Sequence, residues 1–160
     1  MSKSVKQNEN LRYSGNVQVD ILQNNKVIST QIIHNSASQL FFKYILKAIL
    51  GNDTKQFMPK WIGAFDSSGN ASLVGLVLFN TVKDVHKDEN NNYKCSFSFL
   101  ISNTAIIRSI KYYRLYGEST IVTTRATDTS YLAEVELDTE ILDLTKNIQV
   151  TWTMSLSNVN

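Results

Sequence analysis

The 160-residue sequence contains one proline, Pro59, one cysteine, Cys95, and six glycines. A single cysteine excludes an intramolecular disulfide, which fits folding in a reducing compartment. So little glycine and proline leaves asparagine, clustered at Asn24-Asn25 and Asn90-Asn91-Asn92, to make the turns, because Asn tolerates left-handed backbone better than most residues. Charge of one sign is also missing: 16 Lys and Arg stand against 14 Asp and Glu, a net of +2. With no clustered basic face, nucleic acid is not expected as a partner. Apolar runs are short. The best of them, LFFKYILKAIL, carries two lysines and falls well below the ~20 residues that span a bilayer, so no membrane partner is expected. The first residues, MSKSVKQNEN, lack the apolar stretch of a signal peptide, and synthesis in the cytoplasm as a soluble chain is the expectation.

A hydrophobic share of 42% is ordinary for a globular domain. At this length roughly 70% of the chain's surface can be buried without metal or disulfide. The polar, aperiodic residues 1–12 read as a flexible N-terminal arm, and 13–157 as a single domain. From Asn16 onward Val17, Val19 and Ile21 alternate with polar residues, the period of a half-buried strand. Asn24-Asn25 then links this run to Val27, Ile28, Ile32 and Ile33 as a hairpin. Residues 36–50 have helical spacing, with Asn35 or Ser36 as cap and Gly51 as stop; Leu40, Phe41, Ile45, Leu46 and Ile49 predict a broadly buried helix. After Pro59 the pattern is β throughout, with runs at 60–66, 73–79, 93–101, 105–116, 119–125, 131–141 and 147–156. The predicted fold is mainly β, an antiparallel β-sandwich with one packed α-helix over about 36–50.

Chemistry-bearing patterns are sparse. MPKWIGAFDSSGN, residues 58–70, holds two glycines but not the G-x-x-x-x-G-K-[ST] of a phosphate loop, and no G-x-G-x-x-G occurs elsewhere. Lys60-Trp61-Ile62-Gly63-Ala64-Phe65 alternates as a strand, with Ser68-Gly69-Asn70 as its turn. His34, His86 and Cys95 show none of the two-to-four-residue spacings of local zinc clusters, so neither metal nor cofactor is expected. Glu134, Glu136, Asp138 and Glu140 recur at every second residue and fall on one face of a strand, ~6–7 Å apart. A solvated row of four lacks the opposed geometry of a glycosidase pair. Arg108, Lys111 and Arg114 are candidates to neutralise it from a neighbouring strand, and both sets are candidate interface residues. Among the aromatics, Trp152 shares a face with Met154 and Leu156 and reads as core. Trp61, Tyr112 and Tyr113 are candidates for sugar contact; Tyr112 and Tyr113, being adjacent, point to opposite faces. No catalytic set emerges.

The order of features resembles a group of small bacteriophage tail, tail-fibre and baseplate-associated structural proteins. The pieces that carry the resemblance are HNSASQLFFKYILKAILG, PKWIGAFDSSGNASLVGLVLFN, KCSFSFLISNTAIIRSIKYYRLYG, VTTRAT and NIQVTWTMSLSN, over about residues 16–156. In that group a P-x-[YW]-[IL]-x-x-G strand follows the helix and a V-x-W-x-[IL] strand closes the chain. The resemblance implies a non-catalytic subunit of a bacteriophage virion, made in the host cytoplasm, that joins copies of itself and other virion proteins in a symmetric oligomer at the tail, baseplate or fibre-attachment region. The alternative expectation is a lectin-like module that binds glycan on a host surface.

Overall fold

The computed structural model describes residues 10–37, 43, 46–47, 50–51, 59–72, 77–78, 84–90, 92–106, 108–117 and 131–159. The alternation at the start of the chain becomes a hairpin. Strand β1 (Asn10–Gln23) buries Val17 and Val19 and exposes Asn16 and Gln18, and it pairs antiparallel with β2 (Lys26–Ala37). Asn24 and Asn25 have φ of 51° and 59°, the consecutive left-handed residues that a two-residue I′ turn demands. The strand begins at Asn10, where it pairs with Val159, so residues 10–12 belong to the sheet and not to a free arm. Residues 1–9 lie outside the described residues.

Among the described residues seven further strands follow: β3 (Pro59–Phe65), β4 (Val77–Leu78), β5 (Asp84–Lys87), β6 (Tyr93–Ile101), β7 (Ile110–Gly117), β8 (Ala133–Ile141) and β9 (Asn147–Val159). The pairings among these strands are all antiparallel. The first sheet has the order β2-β1-β9-β6-β5 and the second β4-β3-β7-β8. They are joined because β2 changes sheet: most of its length pairs with β1, while Ser36 and Ala37 pair with Glu134 and Ala133 of β8. Further along, the Gln31 amide donates to the Thr139 carbonyl at 3.1 Å and accepts from the Thr139 N–H at 3.3 Å. A side chain thus takes the place of a backbone ladder rung where the two strands separate. Residues from both sheets form one core, with Val17, Phe99, Val150 and Trp152 from the first and Ile62, Tyr113, Leu115 and Leu137 from the second.

A polar contact sits inside that core. With its amide nitrogen facing the Gly15 carbonyl at 2.9 Å, Asn35 accepts from Trp152 Nε1 at 2.8 Å. The Tyr13 hydroxyl lies 3.4 Å from the same amide. Burial of the large indole is therefore achieved without orphaning its N–H. Asn35 fits only because residue 15 has no side chain: a Cβ there would lie 1.7 Å from the end of the Asn35 amide.

Three turns share a D-x-x-x-N sequence, at Asp66–Asn70, Asp88–Asn92 and Asp143–Asn147. In the first two, the aspartate N–H donates to the asparagine carbonyl, at 2.9 and 3.0 Å. The carboxylate accepts from the backbone N–H groups two and four residues on, at 2.8–3.0 Å. Asp143 likewise accepts from the Thr145 N–H at 3.1 Å, and Asn147 accepts from the Asn103 N–H at 3.1 Å. Such Asx geometry closes tight turns without proline.

The β-sandwich-like expectation holds; that of a packed helix is not met among the described residues. Ser36 and Ala37 end β2, and the Asn35 side chain is engaged with Trp152 rather than capping a helix. Lys43, Leu46 and Lys47 have helical backbone, and the Leu50 N–H donates to the Leu46 carbonyl at 3.1 Å, with Gly51 at φ 75°. Leu46 and Leu50 are 62% and 75% exposed, so neither packs as a buried helix face requires. The rest of 38–49 lies outside the described residues, as do 118–130 and with them the expected 119–125 strand.

Gly15→Ala is expected to break the Asn35–Trp152 bond and lower stability by about 1–3 kcal/mol, the range for a buried polar group left unpaired. The reading is a fall in urea midpoint at constant slope; an unchanged midpoint would contradict the packing described. The turn carboxylates give a pH prediction. The Asn92 backbone N–H, then Lys94, hold Asp88 at about 2, against 3.8 unperturbed. A depressed carboxylate stabilises the fold fully above its unfolded pKa, and that contribution is lost as pH falls from about 4 to about 2. The Asp88 carboxyl followed by NMR is expected to titrate near 2, and a midpoint near 4 would show that the turn does not hold the anion.

Candidate functional site

Charge collects on the outer face of the second sheet. Strand β8 buries Ala133, Val135, Leu137 and Ile141 and turns Glu134, Glu136, Asp138 and Glu140 outward. Strand β7 lies beside it, in register with Arg114 against Glu134 and Tyr112 against Glu136. Arg114 Nε donates to Glu134 Oε2 at 2.6 Å. Lys111 Nζ pairs with Glu136 at 3.3 Å and donates to the Leu137 carbonyl at 2.6 Å. At the far end Ser109 donates to Glu140 at 2.5 Å, which, with the Ser67 N–H, draws that carboxyl below its usual range. Arg108 reaches Asp66 of the neighbouring turn, 3.7 Å away, instead of the acidic row. The expected neutralisation by β7 is thus met at Arg114 and Lys111 within one chain, which leaves these two pairs little unbalanced charge to offer a neighbour.

Arg114 is held from three sides. Its partner across β3 is Gly63, which offers no side chain, and the guanidinium lies over the Phe65 ring at 4.9 Å and the Tyr131 ring at 4.8 Å. A Cβ on Gly63 would approach the Phe65 and Tyr116 rings to 3.0–3.2 Å, so glycine lets both rings lie close on the sheet. Stacking and ion pairing together leave the Arg114 side chain only 13% exposed.

A groove of about 280 Å³ is lined by Phe65, Tyr112, Arg114 and Glu134 of the sheet and by Ser67, Ser68 and Gly69 of the Asp66–Asn70 turn. The stretch that reads as strand plus turn is both of those things, and it also borders the cavity. A bulge between Ile110 and Tyr112 sets the phase of β7: Lys111 and Tyr112 are both half-buried while Tyr113 is fully buried. Tyr113 is therefore corrected as a sugar contact. It sits between Ala64 and Val135 in the core, its hydroxyl finds no partner among the described residues, and burial pushes its pKa upward. Trp61 is half-buried in the row beside Tyr116 and does not line the groove. Only Tyr112 of the three does.

Phe65, Ser67, Ser68 and Gly69 went unmarked as site residues in the sequence. The available signal was W-x-G-x-F, a glycine flanked on one strand face by two aromatics, leading straight into a D-x-x-x-N turn. Among the described residues no group of three or more His, Cys, Asp and Glu is placed to hold a metal ion, and no helix is long and apolar enough to cross a bilayer. Comparison with protein-family models, curated proteins and solved structures finds no match for this chain.

Replacing Arg114 by methionine is expected to cost about 1–3 kcal/mol, because a largely buried charge-assisted hydrogen bond is lost and Glu134 is left without its counter-ion. Arg114→Lys is expected to recover only part of this, since a lysine cannot stack between two rings. Urea midpoints of the two variants decide the matter: full recovery with lysine would show that the stacked geometry contributes nothing.

Proposed function

We propose that the chain is a non-catalytic structural subunit of a bacteriophage particle, assembling with copies of itself and with other virion proteins at the tail, baseplate or fibre-attachment region. The observation that carries the assembly part is an apolar patch on the outer face of the first hairpin. Val27, Ile28 and Ile32 are 55%, 51% and 63% exposed. A bulge between Ile21 and Leu22 places Val27 and Ile28 together opposite half-buried Leu22, and Ile32 follows on the same face, opposite Gln18.

The residues around this patch are mostly uncharged. Asp20, the one acid within it among the described residues, is only 5% exposed and accepts from Gln18 at 2.8 Å and from Thr30 at 2.6 Å. Gln18, Thr30, Gln149 and Thr151 complete the face, with Lys26 at the hairpin tip. Clustered exposed aliphatics mark interaction surfaces. A patch whose carboxylate is buried and hydrogen-bonded meets a copy of itself with little like-charge repulsion, which favours a two-fold contact. The virion assignment rests on the sequence resemblance, and the β-rich fold is compatible with it.

Sedimentation or native mass spectrometry of the purified chain tests the reading. The wild type is expected to form a discrete oligomer. Ile28→Lys/Ile32→Lys is expected to weaken it at least about tenfold, with circular dichroism unchanged, because two buried apolar contacts become charges. A wild type monomeric at every concentration, or a variant that assembles normally, would contradict it.

A further inference from the structure

We infer that the groove between the Asp66–Asn70 turn and β7 is a binding site for the ring of a neutral saccharide. This goes beyond the assembly reading and uses a different sheet. At about 280 Å³ the groove lies at the lower bound of small-molecule pockets, typically ~300–1,000 Å³, which suits one ring and its substituents. Its electrostatics select among ligands. Arg114 is already neutralised by Glu134 at 2.6 Å, so a phosphate or carboxylate ligand would meet a resident carboxylate and gain no net counter-charge. A neutral molecule rich in hydroxyls avoids that conflict.

The donors and acceptors match such a ligand. Glu134 Oε2 is occupied by Arg114, while Oε1 takes no hydrogen bond from the described residues and accepts readily from a sugar hydroxyl. Across the groove the exposed Ser68 hydroxyl both donates and accepts. Tyr112, half-buried on the outer face, supplies an aromatic surface for the apolar face of a ring. The site is also rigid before a ligand arrives. Asp66 fixes the turn through the Ser68 and Asn70 N–H groups, Arg108 anchors Asp66 from β7's side, and two rings clamp Arg114. A preorganised groove loses little conformational entropy on binding.

The test is a glycan array of neutral and acidic oligosaccharides, followed by ¹⁵N NMR titration of the full chain with the best neutral binder. Sialyllactose and adenosine serve as acidic and aromatic comparators. The expected result is a neutral oligosaccharide with Kd on the order of 1 mM or tighter that shifts the amides of Ser67, Ser68, Gly69 and Tyr112. Tyr112→Ala is expected to weaken it about tenfold with the remaining spectrum unchanged, and Tyr112→Phe to retain it, because the ring supplies the stacking. Ile28→Lys/Ile32→Lys is expected to leave sugar binding intact, so failure of the assembly reading and of this one are separable. Binding of sialyllactose or adenosine alone, perturbations confined to another surface, undiminished binding by Tyr112→Ala, or no neutral binder on the array would each overturn the inference.

Discussion

Everything in the fold depends on one strand belonging to two sheets. β2 enters beside β1 in the first sheet and ends beside β8 in the second, and the Gln31 side chain spans the gap that opens between them. This fixes the spacing and relative orientation of the two sheets, so the inward residues of β7 and β8 meet those of β1, β6 and β9 in one core. The Asn35–Trp152 bond lies just before the crossing and ties β2 to β9 across the intervening β1. Gly15 is the space in β1 that allows it.

With the inner faces committed to packing, the outer faces are what the chain presents, and they differ in chemistry. On the first sheet Ser96 meets Thr153 at 3.0 Å and Ser98 meets Thr151 at 3.1 Å, a neutral hydroxyl ladder leading toward the apolar patch of the hairpin. On the second, Arg114 neutralises Glu134 and Lys111 neutralises Glu136, and a groove lies beside the first of these pairs. One face suits contact with another protein surface. The other suits a small polar ring. On the proposed reading, one sheet makes the contact between copies while the other stays accessible to a ligand.

Much of this was legible in the residues. Val17 and Val19 alternated as buried strand positions do, Asn24-Asn25 supplied the left-handed turn, Trp152 is core, and the Glu134–Glu140 row faces outward beside cationic β7. What could not be read locally was decided by contacts distant in sequence. Ser36 and Ala37 look like a helix start, yet they are strand because Ala133 and Glu134 pair with them. Tyr113 and Tyr112 were symmetric candidates until the bulge at Ile110–Tyr112 set which faces the core. Gly15 carried no visible signal, since its reason is the Asn35 side chain from the neighbouring strand. The groove joins a turn at 66–70 to strands near 112 and 134, a juxtaposition no spacing rule reveals.

The most direct measurement of how the chain is used is intermolecular paramagnetic relaxation. A spin label is placed at the hairpin tip of an unlabelled copy (Lys26→Cys with Cys95→Ser) and mixed with ¹⁵N-labelled chain. If the hairpin face is the contact between copies, the amides of Val27 through Ile32 broaden in the labelled copy, while those of the groove, around Ser68 and Tyr112, do not. Broadening centred on the second sheet, or none at concentrations where the chain is oligomeric, would show that assembly does not use this face.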